Sequence, residues 1–131
     1  MKLSFITLML AGLFAFIPAQ DTQAQTNSVQ DFNFVPAGPY VTTDVAMTRV
    51  MNYVETIKPQ LDFLAPHTQE YRNLAAKVDF YLDIHQHLTA GNPVQASIQH
   101  GLNVLVSDAH ETLPKSMRQE YKEEAIQLLK L

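Results

Sequence analysis

The chain has 131 residues, no cysteine and a formal net charge of −4 at neutral pH. The lack of cysteine excludes disulfides, thiolate metal sites and thiol nucleophiles. The mild negative charge gives no electrostatic footprint for nucleic acid and no basic stripe for an anionic lipid surface.

Met1-Lys2 places one positive side chain before Leu3–Ile17, an uncharged run of about 15 residues closed by Pro18. A helix that crosses a bilayer needs ~20 apolar residues, so this run predicts the core of a secretory signal peptide rather than an anchor. Ala24 suits the position before a cut and Thr22 the third before it. Residues 1–24 are therefore expected to be a cleavable signal. The mature chain is expected to be soluble, periplasmic or extracellular, with no membrane contact after cleavage. Small domains in such compartments often lean on disulfides, and this one must rely on its apolar core or on a partner.

Residues 25–41 read as an extended arm. Pro36, Gly38 and Pro39 argue against regular structure, and Phe32, Phe34 and Tyr40 suggest a segment that lies over a hydrophobic groove. Residues 42–131 then read as the helical domain.

Met47, Val50, Val54, Ile57, Leu61 and Leu64 recur at intervals of three and four, which predicts a helix from about Asp44 to Leu64. Thr43 or Asp44 can cap it. Pro59 lies off the seam, removes one backbone hydrogen bond and is expected to kink the helix. Thr68 is a natural N-cap for a second helix over about Gln69–Ala90, with Tyr71, Leu74, Ala75, Val78, Tyr81, Leu82, His85 and Leu88 on one face. Gly91-Asn92-Pro93 is the clearest boundary: Gly91 suits a left-handed helix end, and Asn92 and Pro93 suit a helix start. A third helix is predicted over about Pro93–Ala109, with core positions Val94, Ile98, Leu102, Leu105 and Ala109. Gly101 shares that face and costs ~1 kcal/mol relative to Ala, which implies close approach of a neighbouring helix. A fourth helix is predicted over about Lys115–Leu129 with Met117, Tyr121, Ala125 and Leu128 inward and a Ser116/Gln119 capping box. Four amphipathic helices with short joints, and no alternating segment, predict an all-α fold: a small antiparallel four-helix bundle.

Catalytic patterns are absent. The serines stand in no Gly-x-Ser-x-Gly elbow, and His110-Glu111 is followed by Pro114 where a zinc-protease motif needs its second histidine. No enzyme activity is expected. Two binding readings remain.

Phe80 and Ile84 lie opposite the main stripe of the second helix, near His87, and imply a second buried face. It would be covered by the arm through Phe32, Phe34 and Tyr40, or by a protein partner or second copy of the chain. These residues form the expected interaction surface of a non-catalytic binding module.

The alternative is a zinc- or copper-binding protein. His85 and His87 are about 160° apart on a helix and cannot share an ion. His87, however, follows Asp83 by one turn and Asp79 by two, and packing of the second and third helices would bring His87 toward His100 at the hairpin edge. Asp83, His87 and His100 are the candidate ligands.

The stretch His100-Gly101-Leu102-Asn103-Val104-Leu105-Val106, with the small size and four helices, resembles the periplasmic b-type cytochrome bundles. That resemblance implies haem held by a Met near the start of the first helix, where Met47 stands, and a His near the end of the last. The fourth predicted helix has no His, so no cofactor is expected.

Overall fold

The computed structural model describes residues 34–131. The predicted signal, its cut after Ala24, and Phe32 lie outside the described residues. The fold is all-helical. Four α-helices follow in order: α1 (Thr43–Ile57), α2 (Gln69–Thr89), α3 (Val94–Leu105) and α4 (Lys115–Leu129). Short 3-10 segments, Lys58–Phe63 and Asp108–His110, follow α1 and α3. No strand occurs among the described residues; Tyr40 and Lys130 form an isolated antiparallel bridge.

Helix α1 starts on Thr42, whose Oγ1 accepts from the Val45 N–H, one residue earlier than the sequence suggests. Ala46, Val50, Val54 and Ile57 are buried along one side. The predicted seam continued to Leu64 through a kink. Instead the α-helix ends at Ile57 and the chain tightens into the 3-10 segment, with Pro59 in its first turn. Pro59 has no N–H, and its ring collides with the carbonyl four residues back, so the α ladder cannot continue past Lys58. Leu61 and Leu64 are only half-buried as a result.

Helix α2 starts on Thr68, whose Oγ1 accepts from the Tyr71 N–H at 3.1 Å. It is buried on two sides, because it packs against both α1 and α3. Tyr81 meets Tyr53 of α1 edge-on, ring centroids 5.0 Å apart. On the α3 side, Phe80 and Ile84 are fully buried. A Cβ placed on Gly101 would stand 2.7 Å from Ile84 Cγ1 and 3.3 Å from the Phe80 ring. The close approach implied by Gly101 is thus made to Phe80 and Ile84. These two side chains are buried, and α3 lies against them at Gly101. Each such burial contributes about 1.5–3 kcal/mol. Leu82, placed by sequence on the core face, is exposed, since the second buried face turns it outward.

The α2–α3 turn is fixed by its backbone. Gly91 has φ 98°. Its N–H donates to the Leu88 carbonyl and the Asn92 N–H to the His87 carbonyl, the two bonds of a Schellman motif. Helix α3 buries Val94, Ile98, Leu102 and Leu105, then stops four residues short of the predicted end. Ala109 is exposed. The predicted capping box of α4 does not form: Pro114 is the N-cap, Ser116 lies inside the first turn, and the Gln119 amide donates to Glu123.

Residues 34–41 carry no helix. Their buried side chains are Val35 and Val41, not aromatics. Phe34 is 64% exposed, which removes it from the groove-covering role expected of it. Tyr40 is half-buried, and its hydroxyl donates to the Pro36 carbonyl. The Gln95 amide donates to the Val35 carbonyl at 2.9 Å, the Val41 N–H to Leu129 and the Leu131 N–H to Pro39.

A polar cluster joins α1, α2 and α4. Glu124 accepts from the Tyr53 hydroxyl (2.9 Å), the Tyr81 hydroxyl (2.9 Å) and the Lys77 ammonium (3.3 Å). Lys77 also donates to the Tyr53 oxygen at 3.1 Å and lies 5.0 Å from the centre of the Tyr121 ring. Burial, reinforced by the Glu124 carboxylate, pushes the Tyr81 phenol far above its ordinary value of 10.0. Burial likewise raises Tyr53 and Tyr121, against the opposing pull of Lys77. Burial alone would lower Lys77, but the Tyr53 oxygen and Glu124 outweigh it and its pKa is raised. Each phenol therefore ionises more readily in the unfolded chain than in the folded one. Stability from these groups is intact below pH 10 and declines as pH rises above it. Thermal melts followed by circular dichroism should hold steady from pH 7 to 9 and fall beyond 10, with Tyr81→Phe showing a shallower fall; an unchanged slope in that variant would contradict the assignment.

Candidate metal centre

Asp83 and His87 stand one turn apart on α2, and His100 comes across from α3. The hairpin places them. The Schellman turn reverses the chain four residues after His87, and the Gly101 contact sets the two helices close. Asp83 Oδ2 lies 3.2 Å from His100 Nδ1 and 3.4 Å from His87 Nδ1. The two imidazoles stack, with centroids 3.6 Å apart and planes inclined by 33°. His87 Nδ1 is also 2.9 Å from the Asp83 backbone carbonyl. Among the described residues these three side chains form a group whose ligand atoms, one from each, all lie within 4.8 Å of one another.

The geometry suits a cation. Donors about 2.0–2.2 Å from a tetrahedral zinc stand roughly 3.3–3.5 Å apart, so small side-chain rotations would close the group on an ion. Asp83 and His87 side chains are 18% and 21% exposed, whereas His100 is 54% exposed, so the group is shielded on the α2 side and open on the α3 side.

The chain matches no family model, no curated protein and no solved structure. The geometry of the site therefore carries the functional argument alone.

Two of the three residues also wall a groove. Asp83 and His100 line it together with Asp79 and His110. His110 Nε2 lies 2.9 Å from Asp79 Oδ2. The pairing of Asp79 with His110 is not legible in the sequence, where the third helix is predicted to run to about Ala109. That helix ends at Leu105, and the 3-10 turn Asp108–His110 brings the imidazole back to α2. Of the residues expected at an interaction surface, Phe80 and Ile84 are buried, Phe34 is exposed, Tyr40 bonds to the Pro36 carbonyl, and His87 belongs to the Asp83/His100 cluster.

Proposed function

We propose that the protein is an exported, non-catalytic helical module that binds a divalent metal ion, zinc or copper, through Asp83, His87 and His100. One observation carries the reading: a carboxylate and two imidazoles, drawn from two helices, converge with ligand atoms inside 4.8 Å. One carboxylate and two neutral imidazoles carry a net negative charge, which favours a dication, and this donor set is of the kind zinc and copper accept. The hydroxyls of Ser97 and Ser107 donate to the carbonyls of Pro93 and Val104, which supports a role other than catalysis. Export rests on the pattern of residues 1–24 alone. The organisation that accompanies this reading is an antiparallel four-helix bundle with residues 25–41 as an arm lying along it; the pairing of residues 39–41 with 129–131 is consistent with that arm. No helix among the described residues is long and apolar enough to cross a membrane.

Calorimetric titration of the metal-free protein with zinc and with copper(II) tests the proposal. A dissociation constant near or below micromolar is expected for at least one ion, with Asp83→Asn and His100→Ala each weakening it at least about tenfold. Binding no tighter than about 100 µM, or variants that bind as the parent does, would end the proposal.

A further inference from the structure

We propose that an ion held at Asp83, His87 and His100 keeps an open coordination position toward the adjoining groove, and that the groove takes a small molecule bearing a nitrogen donor and a cationic amine. This inference rests on the metal-binding reading and names the ligand class for that site.

Three protein donors leave a four-coordinate ion one position short, the arrangement of zinc sites that accept an outside ligand. The direction of that position follows from the walls. Asp83 and His100 belong both to the cluster and to the groove, so an ion they hold stands against the groove. The groove is a shallow, open depression with about 450 Å³ of space along the surface. The apolar Leu82 and Val104 and the amide of Gln86 also line it. Leu82 is an exposed large apolar side chain here, which a ligand's hydrocarbon would cover.

Asp79 decides the ligand's charge. Asp79 is one helical turn from Asp83, and its carboxylate is 55% exposed. The exposed Asp79 carboxylate faces the groove beside His110 and offers an acceptor for a positive group. A ligand reaching from the ion to Asp79 must therefore place a donor at one end and a positive group about one turn, ~5.4 Å, away. An anionic or purely apolar tail would meet an unfavourable carboxylate.

Cobalt(II) gives a visible spectrum that reports its coordination, so the cobalt-loaded protein is the material to use. It is titrated at pH 8 with 1-(3-aminopropyl)imidazole and with 1-propylimidazole, which lacks the amine. Both are expected to change the cobalt spectrum, with the amine compound binding about three to five times more tightly, the scale of a partly exposed ion pair. In Asp79→Asn the two should bind alike while cobalt affinity is unchanged. Equal binding of the two compounds by the parent, or a preference that survives in Asp79→Asn, overturns the groove proposal and leaves the metal site standing. A spectrum that neither compound alters does the same. Failure of the protein to bind cobalt, zinc or copper removes both.

Discussion

Replacing Glu124 with Ala should lower stability by about 2–4 kcal/mol, one of the two largest effects expected for single changes in this domain. The carboxylate is the shared acceptor of Tyr53, Tyr81 and Lys77. Tyr81 is fully buried, so its hydroxyl has no water to turn to once Glu124 is gone. Lys77 is 16% exposed and would keep a charge with its counter-ion removed. The upper limit is held down because Glu124 is itself 35% exposed, which screens part of its interaction with Lys77. Glu124→Gln keeps an oxygen acceptor and should cost roughly half as much. The pair replacement Lys77→Met with Glu124→Leu should recover much of the loss, since an isolated buried charge costs more than an apolar contact of similar volume. Urea unfolding followed by circular dichroism gives the free energies. In a domain of this size 1 kcal/mol moves the melting temperature by about 4–8 °C, so Glu124→Ala should melt on the order of 10–20 °C lower. A loss under 0.5 kcal/mol would show that the cluster contributes little.

Substitution of Gly101 should have the second large effect. An alanine there improves helix propensity by ~1 kcal/mol, so on an open face it would stabilise. Its Cβ, however, would lie 2.7 Å from Ile84 Cγ1, a carbon near the root of a fully buried side chain. Overpacking of this kind costs typically 1–3 kcal/mol. Gly101→Ala is therefore expected to be destabilising by about 1 kcal/mol net, and Gly101→Leu by about 3. The decisive measurement is a double-mutant cycle with Ile84→Ala, which removes the obstructing carbon. In that background Gly101→Ala should become neutral or favourable, whereas the same penalty in both backgrounds would mean that α3 does not seat on Ile84.

The helices themselves were readable from spacing. Val50, Val54 and Ile57, or Ile98, Leu102 and Leu105, repeat at helical intervals and are buried. What spacing could not show was how many faces each helix uses. Helix α2 lies against both α1 and α3, so its outer apolar pair became core, and a stripe of one width was the wrong template. Gly101 carried the missing information, because a glycine in mid-helix implies a close neighbour; the sequence alone did not say that the neighbour was Phe80 and Ile84. At Pro59 the apolar seam runs on in the sequence, but the backbone lacks the N–H to continue the α-helix, which ends at Ile57. Asp83, His87 and His100 could be brought together on paper because a tight glycine turn ties two neighbouring helices. Tyr53, Lys77, Tyr81 and Glu124 could not, being spread over three helices and as much as 71 positions apart, with no local pattern to join them.

The pairing of residues 39–41 with 129–131 has a practical corollary. The polypeptide enters and leaves the described domain at one spot: Val41 bonds to Leu129, Leu131 to Pro39, and the Arg49 guanidinium reaches the Leu128 and Lys130 carbonyls. A host protein could receive residues 34–131 in place of a surface loop without its flanking strands or helices being spread apart. Mounted that way, the domain would become a compact insert whose helical hairpin, with Asp83, His87 and His100, could be displayed on an unrelated scaffold.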